Sequence, residues 1–147
     1  MLVRVLYVSV VAQGVTAWDI EQLVVNCRRR NRQLDLTGAL AVCALRFAQV
    51  IEGREEVVND MLAKIEKDAR HCGMQVIDRS FVERRLCDGW EMAFLDEPSW
   101  AAVLDDVSSG ALAPQDFYRI ILDRIEDKRG PLLALTRLEG SPPARRS

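Results

Sequence analysis

From Leu2 to Val11 the chain is β-branched and apolar with polar interruptions, the pattern of a central strand, and Gln13-Gly14 ends it. Thr16 followed three residues later by Asp19 makes a capping signal. Ile20, Leu23, Val24 and Cys27 then recur at helical spacing, which predicts a first helix from about Ala17 to Arg30. Leu36 to Ala44 and Phe47 to Glu52 read as two short strands turned tightly around Leu45-Arg46. Gly53 marks the exit, and Val57, Val58, Met61, Leu62 and Ile65 form the stripe of a second helix ending before Asp68 to Gly73. Met74 to Glu83 and Trp90 to Leu95 supply two further strands.

The resulting order, β-α-β-β-α-β-β, predicts an α+β fold: a ferredoxin-like sandwich whose mixed five-stranded sheet carries both helices on one face. Beyond Asp96 the character changes. Trp100 to Val107 is a short helical candidate, Ser108-Ser109-Gly110 breaks it, and Pro114 opens an amphipathic helix with Phe117, Ile120, Ile121 and Ile125 on one side. Gly130-Pro131 is expected to stop that helix, and 140–147 to form a disordered tail. An apolar stripe must cover something, so these C-terminal helices are expected to pack on the open face of the sheet.

Within this pattern Gln49 stands out, set in Phe47-Ala48-Gln49-Val50-Ile51-Glu52-Gly53. Leaving its amide buried and unpaired would cost about 1–3 kcal/mol, so it is either paired or on the wet face of an edge strand. Alternation assigns Phe47, Gln49 and Ile51 to one face without saying which face is wet.

Composition changes the picture little. A chain of 147 residues with a formal charge of -2 carries no general electrostatic footprint for nucleic acid, and Arg28-Arg29-Arg30 is only a local basic cluster. No apolar run approaches the ~18 residues of a membrane span, and the N-terminus lacks a signal-peptide pattern, so the expectation is a cytoplasmic protein. Cys27, Cys43, Cys72 and Cys87 are widely spaced, with only His71 as an imidazole, so neither a metal site nor a disulfide framework is expected.

The sequence lacks the nucleophile context of serine catalysis and the Gly-rich loop of phosphate binding. An acylphosphatase-like enzyme is a rival on the same fold, because Arg28 to Asn31 offers a superficial parallel, but the phosphate loop is missing. What remains is a convergent set: Asn31 just after the first helix, Gln49 on a central strand, Lys64, Asp68, Arg70 and His71 at the end of the second helix, and Tyr7 on the first strand. Amides, a phenol and cations around apolar helix faces describe a flat ligand site with polar edges.

These residues carry a resemblance. Leu6-Tyr7-Val8-Ser9, Arg29-Arg30-Asn31, Leu36-Thr37-Gly38, Phe47 to Gly53, Asp68-Ala69-Arg70-His71 and Trp90-Glu91-Met92-Ala93-Phe94 stand in the order and spacing of BLUF domains, which sense blue light with FAD. The resemblance covers roughly residues 1 to 95. It implies an FAD ring lying between the two helices, packed by Leu23 and Ile65. Asn31 would bond the ring's C4 carbonyl and N3 edge, and Lys64, Asp68, Arg70 and His71 would line its outer and ribityl side. Gln49 would touch both Tyr7 and the N5/C4-carbonyl edge. Arg30 stands where relatives often carry asparagine or histidine: it either reaches a ring carbonyl or the phosphates, or is a solvated charge at a helix end. Asp35 stands where glycine is common.

The resemblance further implies a non-enzymatic photoreceptor. Light would drive an electron and a proton from Tyr7 towards the flavin through Gln49, whose rearranged amide would give a reversible red shift and alter the strand carrying Trp90 and Met92. Those two residues, two apart, would share a face, with either Trp90 or Met92 turned towards the ring. The expected organisation is a sensor domain at 1–97, a helical extension at 98–139 and the tail at 140–147. The expected partners are an effector protein in trans and further copies of the chain, as a dimer or higher oligomer. A flavin-free regulatory module of the same fold is the alternative.

Overall fold

The computed structural model describes residues 1–138, with side-chain surroundings through Lys128, and the expected tail at 140–147 lies outside the described residues. Its elements are β1 (Leu2–Val11), α1 (Ala17–Leu34), β2 (Thr37–Cys43), β3 (Arg46–Arg54), α2 (Glu55–Glu66), β4 (His71–Val82), β5 (Ala93–Leu95), α3 (Trp100–Ser109) and α4 (Pro114–Leu138). The strands lie in the order β4-β1-β3-β2-β5. Neighbours among the first four pair antiparallel, and β5 runs parallel to β2. The α+β ferredoxin-like sandwich expected from the pattern is therefore the fold.

Alternation along the central strands divides the core. Val3, Val5 and Ile51 join Leu36, Val58 and Met61 under α2, while Val11, Leu40 and Phe47 join Val24, Cys27 and Met92 under α1. The opposite face, with Leu6, Val8, Ala48 and Val50, meets Trp100, Leu104, Phe117, Ile121 and Ile125 of α3 and α4. The C-terminal helices thus cover the sheet face that the first two leave open. Gly38 sits where β2 crosses β3 so closely that a Cβ would overlap the Val50 carbonyl oxygen. Gly38→Ala is accordingly expected to cost about 1–3 kcal/mol by overpacking, measured as a shift of the urea unfolding midpoint.

Several boundaries differ from the sequence reading. The capping box at Thr16 and Asp19 forms, but α1 continues past Arg30 to Leu34 because Asn31 extends the buried stripe of Val24 and Cys27, which a polar residue conceals in the sequence. Its C-cap, Asp35, is left-handed (φ 53°), a conformation glycine adopts without strain; here Arg85 holds the Asp35 carbonyl at 2.9 Å and its carboxylate at 3.2 Å. The β2–β3 turn falls on Ala44-Leu45, both left-handed, one residue earlier than expected. α4 runs on through Gly130-Pro131. A helical φ suits proline, and only one intrahelical donor is lost there.

The largest correction concerns residues 90–92. The expected strand over Trp90 to Leu95 shrinks to Ala93–Leu95, leaving Trp90 and Met92 in the approach to it. They do not share a face: Trp90 packs with the α3–α4 cluster and Met92 with the α1 cluster. Freed from pleated alternation, two residues at this spacing point to opposite sides.

Candidate functional site

Tyr7 and Gln49 are direct cross-strand partners on β1 and β3, both only 4% exposed and both facing α1 and α2. The Tyr7 hydroxyl donates to Gln49 Oε1, and Gln49 Nε2 donates to Met92 Sδ at 3.8 Å. β3 is interior to the sheet, so the solvent-edge alternative for Gln49 does not hold. Burial drives the Tyr7 pKa far above its ordinary value, the Cys27 thiol and Asp68 add to this, and Arg30 opposes it. Tyr7 therefore remains a protonated donor, and the amide between it and the sulfur has both of its ends engaged.

Above this pair lies a cleft between the two helices. Leu23 and Cys27 of α1 and Ile65 of α2 form its walls, and Leu40, Phe47, Tyr7 and Gln49 its floor. Arg30, Asp68, Arg70 and His71 stand around it. Arg70 grips Asp68 with Nε at 2.9 Å and Nη2 at 2.5 Å, which holds the Asp68 carboxyl below the usual carboxylate range. His71 Nε2 meets the Ile65 carbonyl, and its ring lies 6.2 Å from that of Tyr7. Arg30 lies within α1 rather than at a helix end, and its Nη2 donates to Cys27 Sγ at 3.4 Å.

The segment 90–92 is strapped to this cleft from α1 and β2. Asn31 Nδ2 donates to the Glu91 carbonyl at 2.7 Å, Arg28 Nε to the Met92 carbonyl at 2.9 Å, and the Gly38 amide to the Trp90 carbonyl at 3.1 Å. Arg32 grips the Glu91 carboxylate with contacts of 2.8 and 3.3 Å.

Of the residues singled out in the sequence, Tyr7, Leu23, Arg30, Gln49, Ile65, Asp68, Arg70 and His71 converge on the cleft. Asn31 is fully buried beside it, in the last turns of α1 rather than after it. Lys64 is exposed and does not line the cleft, because the next position along α2, Ile65, takes the inward direction. Cys27, Leu40 and Phe47 line it too, although the sequence reading gave none of them a place at the site. Glu52, fully buried on the far face of the sheet, was also passed over. The argument applied to Gln49, a polar group in an apolar strand, would have found it three positions on.

A flavin fits this donor set. Among the described residues Arg30 Nε, Asn31 Oδ1 and His71 Nδ1 are buried with no hydrogen-bond partner, one donor and two acceptors around an apolar slot. Leaving each unmet costs about 1–3 kcal/mol, so a flat heterocycle with carbonyls and an imide N–H along its edge suits them.

Comparison with known proteins agrees. The family described as BLUF, "Sensors of blue-light using FAD", matches residues 2–93. The blue light- and temperature-regulated antirepressor BluF of Escherichia coli (strain K12) is 37% identical over 71 residues, which is 48% of this chain and 18% of that protein. The chain spans only 10–18% of the length of curated relatives it matches. The dark-state structure of BlrB, a BLUF protein, superposes with a TM-score of 0.73 at 27% identity, covering 84% of this chain and 96% of that one. Klebsiella pneumoniae BlrP1 with FMN and cyclic diGMP gives 0.67 at 27% identity, over 88% of this chain and 36% of that one. The matched family is thus one of flavin-using sensors rather than enzymes. Matched over well more than half its length and carrying a cleft suited to a flavin, this chain belongs to the BLUF family of blue-light sensors.

Proposed function

We propose that residues 1–97 form a blue-light receptor that holds FAD non-covalently between α1 and α2 and signals in trans through the helical layer that follows. The observation that carries this reading is the buried string Tyr7–Gln49–Met92 at the cleft floor. A bound flavin supplies absorption of blue light and, once excited, an oxidant able to draw an electron from a nearby phenol. Leu23 and Ile65 would hold the ring by its faces. Asn31 would accept from its imide edge and Arg30 would donate to it, while His71 Nδ1, opposite the Nε2–H that meets the Ile65 carbonyl, would accept from a ribityl hydroxyl, with Asp68 and Arg70 at the outer side.

Tyr7 is the electron and proton donor: its O–H proton leaves along the bond to Gln49 Oε1. Gln49 offers an acceptor and a donor end, so when the electron and proton return to Tyr7 the amide can be left with its ends exchanged or in its tautomeric form. Its bond to Met92 Sδ then changes, and the strap at 90–92 carries the change away. FAD is proposed over FMN because the family is described as using FAD.

An effector protein, or a second copy in a homo-oligomer, would read the α3–α4 layer. Such a partner responds only if it binds lit and dark forms with different affinity. We place the protein in the cytoplasm: the cysteines Cys27, Cys43, Cys72 and Cys87 are free, as in a reducing compartment, and among the described residues no helix is long and apolar enough to cross a membrane.

The test is a light-minus-dark spectrum of the protein reconstituted with FAD. A reversible shift of the flavin band to longer wavelength is expected. Stoichiometric binding without any reversible shift refutes the switch, and failure to bind FAD favours a flavin-free interaction module.

A further inference from the structure

On the face of the sheet away from the cleft lies a polar junction in the middle of apolar packing. Glu52 is 0% exposed. Its carboxylate accepts from Arg4 Nε at 2.8 Å, Thr37 Oγ1 at 3.2 Å, and the backbone amides of Leu86 and Cys87 at 2.7 and 2.8 Å. Arg4 also donates from Nη2 to the Arg84 carbonyl at 3.2 Å, so the carboxylate and its counter-ion grip the same stretch of chain. That stretch leads within a few residues to Met92, the partner of Gln49.

Arg4 has a second attachment. Its guanidinium carbon stands 5.0 Å above the ring of Tyr118 in α4, close enough for a cation–π contact in a desolvated setting. Tyr118, 3% exposed, is held in turn by its hydroxyl, which donates to Asp78 Oδ2 of β4 at 2.7 Å. That same carboxylate oxygen takes the Ser80 hydroxyl at 3.2 Å. Elsewhere the sheet meets α3 and α4 mainly through aliphatic and aromatic side chains, with an ion pair between Arg46 of β3 and Asp105 of α3. The Arg4–Tyr118 contact is directional, and burial strengthens it.

We propose that Glu52, Arg4 and Tyr118 form a mechanical relay that couples the strap bearing Met92 to α4, with Glu52 as the positioning residue of the strap. A displacement at Met92 pulls on the amides of Leu86 and Cys87, these move the carboxylate, and the carboxylate carries Arg4 across the Tyr118 ring. The inference rests on the functional reading above, because it supplies the route by which a change at Gln49 leaves the sheet.

The test is hydrogen exchange on the full chain with FAD bound, in darkness and under blue light. In the wild-type protein light is expected to change exchange in α4 around Tyr118. Tyr118→Leu leaves the whole shell of Glu52 in place, so the flavin band shift is expected to persist while the light response of α4 falls at least about fivefold. Tyr118→Phe keeps the ring over Arg4 and is expected to restore most of that response. A spectral shift accompanied by an undiminished α4 response in Tyr118→Leu overturns the relay, as does a wild-type shift with no α4 response. Absence of any shift in the wild type strikes the photochemical reading instead. Should Tyr118→Leu not fold, Glu52→Gln asks the same from the other end: the α4 response is expected to fall, and an unchanged response overturns the proposal.

Discussion

Tyr7→Phe is expected to bind FAD and stay folded while the light-induced red shift drops below detection. The ring of residue 7 remains in the cleft floor, so the surface offered to a flavin is kept. The substitution removes the one O–H that reaches Gln49 Oε1. Leaving that oxygen buried without its donor costs about 1–3 kcal/mol, against a stability of about 5–15 kcal/mol for a domain of ordinary stability. The proton that must travel is gone, whereas the fold is only weakened. The check is a light-minus-dark absorption spectrum at full FAD occupancy, and a shift of wild-type amplitude in the variant would remove Tyr7 from the mechanism.

Glu52→Ala is expected to produce the largest loss of stability of any single truncation in the sheet, about 3–5 kcal/mol, the usual cost of breaking a buried ion pair by deleting one partner. Four donors lose their acceptor together: Arg4, the Thr37 hydroxyl and the amides of Leu86 and Cys87. Arg4 keeps the Arg84 carbonyl and the Tyr118 ring but loses its ion-pair partner among the described residues. Urea unfolding followed by circular dichroism measures the effect, and a loss below about 1 kcal/mol would mean that water replaces the carboxylate.

The order of elements was legible because each is announced by its own period: two along β1 and β3, three to four along α1, α2 and α4. Ends were less legible. Asn31 continues a buried stripe but is polar, so the end of α1 was set too early, and the Ala44-Leu45 turn contains neither glycine nor asparagine to mark its left-handed backbone.

At the site, Tyr7 and Gln49 could be gathered from the pattern because each carries a polar group in an apolar strand, and Asp68 and His71 because they follow directly on the second helix. Cys27, Leu40 and Phe47 could not, since a residue that lines an apolar slot looks like one that fills a core. Lys64 entered on its neighbourhood in the sequence and left on its direction: one position along a helix is a turn of about 100°. The facing of Trp90 and Met92 depended on whether the backbone between them is pleated, which composition does not specify.

The cleft lies between two hydrophobic clusters on the same face of the sheet, one under α2 and one under α1. The α1 cluster shares Cys27, Leu40 and Phe47 with the lining of the slot, so a molecule seated there completes part of the core, and occupancy is expected to raise the thermal midpoint of unfolding.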